Sequence, residues 1–201
     1  AGLPKAQGLY NPINEHDACG VGLVLDIKNR PSFDIVEKGL AMLCNLEHRG
    51  AVGADPKAGD GSGLLIQIPH NFLKKKVSNQ FSLPDPGEYA VGVLFLPNDE
   101  NDQKKLKELI EKICSNEGVK ILGWRLCPTF NDELGWSVLP SMPIVYQLFL
   151  EKPKNENSQD AFEKKLYILR RCIEKAVLDL SDQIKEGFYI PSFSSRTILY
   201  K

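Results

Sequence analysis

The apolar residues of this chain fall in short runs, and the length of those runs limits its fold more than any other feature. The longest lie at 63–68 and 144–150, which is the length of a β-strand and far short of the ~20 apolar residues of a membrane-spanning helix. Between such runs, apolar residues recur at helical spacing. Strands interspersed with a few helices predict an α+β domain of packed layers. A chain of 201 residues can bury a sizeable core in such a domain.

The individual elements follow from these two patterns. We predict strands at five apolar runs, which span 20–27, 63–69, 89–96, 119–126 and 143–150, and two short strand-like pieces, divided by a proline, within 188–201. We predict helices over 99–116 and 160–180, and another that begins after an N-cap at Ser32 and ends near Gly50. Residues 1–18 show no periodicity, so we expect an extended leader there.

Charge and cysteine content narrow the class of protein. The 25 Lys and Arg residues nearly balance the 26 Asp and Glu residues, which argues against a nucleic-acid binder or a membrane-surface binder. The five cysteines and three histidines lack the close spacing of a disulfide scaffold or a zinc site. The first residues do not have the pattern of a secretory signal, so we expect a soluble, cytoplasmic protein. Four cysteines are expected to be small buried hydrophobic residues: Cys44, Cys114, Cys127 and Cys172.

Three features close together in the sequence could carry chemistry. They are Cys19 within ACGVG, the tripeptide HRG at 48–50, and the glycine- and aspartate-rich loop 53–63. Each also has a structural explanation: Cys19 as a packed thiol, Arg49 as a cation at a helix C-terminus, and the glycines as turn residues. The loop is not a dinucleotide-binding motif, because it precedes a predicted strand where such a motif follows one.

Taken together, the three features resemble a known family. NEHDACGVG, HRGAVGAD and GDGSGLLIQIPH, followed by YAVGVLFLP, ILGWRLCP, LRRCIEKAV and SFSSRTILYK, resemble the N-terminal glutamine amidotransferase domain of glutamate synthase large subunits. The resemblance implies an N-terminal-nucleophile hydrolase, a four-layer α/β/β/α sandwich. It also implies that the chain is cut between Ala18 and Cys19, so that residues 1–18 are a propeptide and residues 19–201 are the first part of the amidotransferase domain.

The chemistry implied by the resemblance depends on that cut. Once Cys19 is the first residue, its α-amine, with an ordinary pKa of about 7.7–8.0, can act as base for its own thiol. The thiolate would attack the side-chain amide of L-glutamine, release ammonia and form a thioester that water hydrolyses. Before the cut the nitrogen of Cys19 is an amide and cannot be this base, so we expect the uncut chain to be inactive.

Other residues of the three motifs have weaker roles. Arg49 is expected near the nucleophile, where its guanidinium could orient a carboxylate or a carbonyl, with a structural role as the alternative. Gly50 would allow the backbone to approach Cys19. Asp60 and Gly61 could shape the pocket wall, although turn formation is the simpler role for both. His48 is expected to be structural.

The resemblance also implies what lies outside this chain. In the family, ammonia reaches a second site and adds to 2-oxoglutarate, with FMN and an iron–sulfur cluster that belong to the full-length parent, and with a reductase subunit or ferredoxin as a possible partner. The family's Asn-Gly oxyanion donors are absent from this sequence, and their loss predicts little glutaminase activity for the isolated chain. The unpaired edge of the last predicted strand would favour self-association.

Two alternatives remain open at this point. One is a non-catalytic module that keeps its leader attached and folds or binds a partner. The other is an amidotransferase of the same hydrolase class that supplies ammonia to a different acceptor, against which the close match of GDGSGLLIQIPH argues.

Overall fold

A computed structural model describes residues 5–8, 11, 20–50, 54–59 and 61–200, except for the side chain of Arg49. The chain divides into two compact units, Ala1–Ser62 and Gly63–Lys201.

The first unit contains helix α1, Phe33–Asn45. The predicted N-cap is confirmed, because the Ser32 side chain accepts a hydrogen bond from the Asp34 N–H at 3.1 Å and so satisfies one of the free donors of the first turn. A short 3₁₀ turn, Glu47–Arg49, follows the helix and leads to Gly50, where the sequence places the end of the helical segment.

The predicted strand at 20–27 is wrong. Residues 20–31 contain no strand, and Val21, Leu23, Leu25 and Ile27 are all between 60% and 94% exposed. A strand forms only when its N–H and C=O groups find a second strand, and no described strand pairs with this segment.

The second unit is α+β, as predicted, with two antiparallel sheets. Its strands are β1 (Leu64–Gln67), β2 (Tyr89–Leu96), β3 (Ile121–Leu126), β4 (Ile144–Glu151), β5 (Tyr189–Ser194) and β6 (Thr197–Tyr200). Its helices are α2 (His70–Val77), α3 (Glu100–Asn116), α4 (Gln159–Val177) and α5 (Asp182–Gly187), with a 3₁₀ turn at Leu139–Ser141. The larger sheet has the order β3-β4-β2-β5, and β1 pairs with β6.

Both faces of the larger sheet are buried, which explains the almost unbroken apolar sequence of β2. On one face Leu94 and Leu148 belong to a core with Leu106 of α3 and Leu166 of α4. On the other face a second core is shared with α2 and β6, and its fully buried members are Leu73, Val77, Tyr89, Val91, Phe149 and Ile198. The second unit therefore stacks helices, the larger sheet, and a layer formed by α2 and the β1-β6 pair.

Helices α2 and α5 are not predicted from the sequence. Each has fewer than nine residues. In α2 only Leu73 and Val77 are buried, and the three consecutive lysines between them obscure the apolar pattern in the sequence. We also expected the proline of the closing segment to divide two strands, and it does not. Pro191 lies inside β5, which is an edge strand of the sheet, where a missing N–H is tolerated.

The cysteines follow the prediction only in part. Cys114 is buried as expected, and Cys127 and Cys172 are partly buried. Cys44 is exposed, so its predicted burial is wrong. It lies on α1, where in the described structure only Gly39 is buried, and the apolar stripe of that helix therefore does not enclose the thiol.

Candidate functional site

The residues that the sequence assigns to the nucleophile region fall only partly within the described structure. Ala18, Cys19 and Asp60 lie outside the described residues, so their roles stay predictions. The backbone of Arg49 closes the 3₁₀ turn that follows α1. Its site role likewise stays a prediction.

The two glycines of the predicted site differ in backbone geometry. Gly50 is extended, with φ of −86°, and the nearest described atom to a Cβ placed on it is the Glu47 carbonyl oxygen at 3.5 Å. These described surroundings do not require glycine there. Gly61 has φ of +75°, a left-handed conformation that favours glycine, and this geometry fits the turn role considered for it.

His48 has a local hydrogen bond. Its Nδ1–H donates to the Asn45 carbonyl oxygen at 3.0 Å, which ties the 3₁₀ turn to the last turn of α1. This bond fits the structural role expected for His48.

A close contact in the first unit gives one glycine of the ACGVG motif a packing role that the sequence does not reveal. A Cβ placed on Gly22 would lie 2.0 Å from the Sδ atom of Met42 on α1, so a side chain fits there only if Met42 moves. The segment that follows Cys19 therefore passes directly over the helix at this position.

The carboxylate of Glu163 on α4 holds the closing motif SFSSRTILYK in place through hydrogen bonds. Oε1 of Glu163 accepts hydrogen bonds from the N–H and the hydroxyl of Ser195, both at 2.6 Å, and from the hydroxyl of Ser194 at 3.1 Å. Arg196 forms an ion pair with Asp160 one turn earlier on the same helix. These contacts fix the turn between β5 and β6 and give the motif a structural role.

The structure also brings together a polar cluster that sequence reasoning missed. Arg125 on β3 is the cross-strand partner of Gln147 on β4, and its Nη1 donates to the Gln147 Oε1 at 2.8 Å. Cys127 Sγ lies 3.9 Å from the same guanidinium nitrogen. Burial raises the pKa of the Cys127 thiol, against the opposing effect of Arg125, and so favours the neutral thiol.

The described residues include neither a cluster of metal-ligating side chains nor a membrane-spanning helix. No group of three or more His, Cys, Asp or Glu side chains in that part of the chain could hold a metal ion. None of its helices is long and apolar enough to cross a membrane.

Comparison with known proteins places the chain in a family. The family model of class-II glutamine amidotransferases matches residues 19–201. The chain is 42% identical over 201 residues to the glutamate synthase [NADPH] large chain of Bacillus subtilis, covering 99% of this chain and 13% of that protein. It is 40% identical over 198 residues to a chloroplastic ferredoxin-dependent glutamate synthase of Oryza sativa subsp. japonica, covering 98% and 12%.

A yeast relative extends the comparison to a third electron donor. The glutamate synthase [NADH] of Saccharomyces cerevisiae is 36% identical over 209 residues, covering 99% of this chain and 10% of that protein. The chain thus spans between a tenth and a seventh of the length of these relatives. The match of the family model from Cys19 to the last residue shows that the chain belongs to the class-II glutamine amidotransferases, in the form found in glutamate synthases.

Proposed function

We propose that this chain carries out the glutaminase reaction of a glutamate synthase, with Cys19 as the nucleophile. The observation that carries the proposal is where the family match begins. It starts at Cys19 and continues to residue 201, so residues 1–18 fall outside the matched family domain, as a removable propeptide would.

The proposed mechanism starts with cleavage of the bond between Ala18 and Cys19, which converts the amide nitrogen of Cys19 to a free amine. That amine takes the thiol proton, and the thiolate attacks the side-chain carbonyl carbon of glutamine. The C–N bond then breaks, the leaving nitrogen takes the proton and departs as ammonia, and a γ-glutamyl thioester remains. Water hydrolyses the thioester to glutamate and restores the thiol.

The oxyanion that forms during the attack needs donors aimed at it. The expected Asn-Gly pair does not occur in this sequence, so we propose that these donors come from a part of the synthase outside the chain. Arg49 is proposed to orient a carboxylate or a backbone carbonyl, Gly50 to allow the backbone to approach Cys19, and Asp60 and Gly61 to shape the adjacent wall.

We further infer that the complete domain has the four-layer α/β/β/α architecture. The support is the layering within the second unit, where α3 and α4 cover one face of the larger antiparallel sheet and the β1-β6 pair contributes to the core on the other face. The edge of β6 away from β1 has no ladder partner among the described strands, so self-association through this edge remains part of the proposal.

For the parent enzyme, we propose that the ammonia adds to 2-oxoglutarate in a part of the protein outside this chain. We assign FMN and the iron–sulfur cluster to that part as well. The relatives are named for three different electron donors, NADPH, ferredoxin and NADH, so the similarity of this region does not select among a reductase subunit, a nicotinamide cofactor and ferredoxin.

The test uses the full-length protein purified from its own source and the variants Cys19→Ser and Cys44→Ser. Cys44 is the matched control because its thiol is exposed and it belongs to none of the three sequence motifs assigned to the site. We expect a native N-terminus at Cys19, loss of ammonia release from glutamine in Cys19→Ser, and full activity in Cys44→Ser.

Mass spectrometry after treatment with a diazoketone analogue of glutamine should place the adduct on Cys19. A native protein that keeps residues 1–18 and leaves Cys19 unmodified would overturn the proposal in favour of a non-catalytic module. Equal loss of activity in both serine variants would overturn Cys19 as the nucleophile.

A further inference from the structure

One contact in the first unit joins two of the sequence motifs assigned to the glutaminase site. Gly22 ends the ACGVG motif at 18–22 and lies against Met42 of α1. The same helix leads into the 3₁₀ turn Glu47–Arg49, which holds the first two residues of the HRG motif. Met42 therefore connects the segment that follows the proposed nucleophile with the helix that carries the second motif.

The contact involves the outer half of the methionine side chain. A Cβ placed on Gly22 would lie 2.8 Å from Cε and 3.0 Å from Cγ of Met42, with Sδ closer still. Gly22 is not among the glycines with positive φ, so its backbone does not itself call for glycine. What the missing Cβ provides at this position is room for the methionine.

The apolar side chains on either side of Gly22 do not hold the segment in place within the described structure. Val21 and Leu23 are 89% and 80% exposed, and residues 20–31 pair with no described strand. Cys19 precedes Gly22 by only three residues, each of which advances the chain by at most about 3.6 Å. A displacement of Gly22 is therefore transmitted along a short stretch of backbone to the proposed nucleophile.

We propose that Met42 is a positioning residue for the glutaminase reaction, which holds the ACGVG motif against α1 and so sets its distance from the HRG motif. The inference rests on the proposed function, in which Cys19 is the nucleophile. Met42 takes no part in the chemistry and acts through Gly22. Since a misplacement of about 1 Å can cost about a hundredfold in rate, its loss should act on the chemical step and not on the binding of glutamine.

An exchange of volume between the two residues tests the contact in the full-length, processed protein. Gly22→Val adds as many non-hydrogen atoms as Met42→Ala removes, so the double variant conserves the packed volume. Each single variant should lower kcat for ammonia release by about tenfold or more, with KM little changed. The double variant should be at least about tenfold faster than Gly22→Val alone, because residues in contact are coupled.

The activity is counted per molecule whose N-terminus is Cys19, so that a defect in cleavage is not mistaken for a defect in positioning. Met42→Leu is the conservative variant, since leucine fills a similar volume, and it should retain more of kcat than Met42→Ala. Lys38→Ala is the control on the same helix, because the ion pair of Lys38 with Asp34 is exposed on both sides, and its kcat should equal that of the unmodified protein.

Photo-methionine incorporated in place of methionine gives a measurement that needs no substitution at Gly22. Irradiation of the full-length protein should link residue 42 to the peptide that contains Gly22. Absence of that link, single variants with an unchanged kcat, a double variant no faster than Gly22→Val, or an equal loss of kcat in Lys38→Ala would each overturn the inference and leave the proposed function standing. An unmodified, processed protein that releases no ammonia from glutamine would overturn both.

Discussion

The hydrogen bonds that Glu163 on α4 accepts allow a quantitative prediction about the turn that joins β5 to β6. Glu163 is half-buried and accepts from the backbone N–H and the hydroxyl of Ser195, each at 2.6 Å. Ser195 itself is only 5% exposed, so water cannot readily replace the carboxylate. Substitution Glu163→Ala therefore removes the acceptor and leaves two donors in a buried position.

The size of the effect follows from what those donors lose. A buried donor without a partner costs about 1–3 kcal/mol, and the Ser195 hydroxyl retains a contact with Gln159 Nε2 at 2.7 Å, to which it can only act as acceptor. We therefore expect Glu163→Ala to lower the free energy of opening of this turn by about 2–4 kcal/mol. Because each 1.4 kcal/mol is a factor of ten, amide exchange should accelerate by roughly thirtyfold to a thousandfold.

Hydrogen exchange followed by mass spectrometry on the full-length protein measures this opening directly, in the peptides that cover Ser194–Thr197 and β6. Glu163→Gln keeps an acceptor oxygen but loses the charge, and should cost about 1 kcal/mol. Glu108→Ala is the control, since its ion pair with Lys104 is exposed on both sides and should contribute below about 0.5 kcal/mol. Exchange in these peptides that is no faster in Glu163→Ala than in the control would refute the reasoning.

Three further predictions concern the core of the second unit. Gly92→Ala would place a Cβ 2.5 Å from the Phe193 ring and should destabilise the protein by about 1–3 kcal/mol, with part of the loss recovered in urea unfolding when Phe193→Leu is added. Burial raises the pKa of Tyr89 to about 12, so the folded state keeps a proton that the unfolded state releases above about pH 10. The stability held below pH 10 should therefore fall by up to about 1.4 kcal/mol per pH unit between pH 10 and 12, and Tyr89→Phe should lack this component in unfolding measured across that range. Burial also raises the pKa of Cys114 to about 12, which leaves roughly one thiol in ten thousand ionised at pH 8, so iodoacetamide should label the exposed Cys44 long before Cys114 in peptide mass spectra.

The parts of the fold that can be predicted from sequence are those whose pattern is long and local. β2 has the predicted bounds, Tyr89–Leu96, and α3 begins after Asp99, whose side chain accepts from the Asp102 N–H at 2.9 Å. β2 is an unbroken apolar run of eight residues, and in α3 one helical period holds over 17 residues, so each pattern is long enough to indicate a single structure. Helix α2 has only eight residues, which is too few for its period to stand out from the surrounding loop.

The candidate sites differ in the same way. Cys19 can be proposed from the sequence because its motif is contiguous and resembles a family. Arg125 and Gln147 belong to different strands, and only the antiparallel register of β3 against β4 makes them partners.

The segment 20–27 shows most clearly what an apolar run leaves undecided. It has the same texture as β2, yet Val21 is 89% exposed while Val91 in β2 is fully buried. The difference between them is in their partners, since β2 forms ladders on both sides, with β4 and with β5, and no described strand pairs with residues 20–27. Burial of a strand depends on strands that lie far away in the sequence, so the composition of a run sets its capacity to form a strand and the rest of the fold decides the outcome.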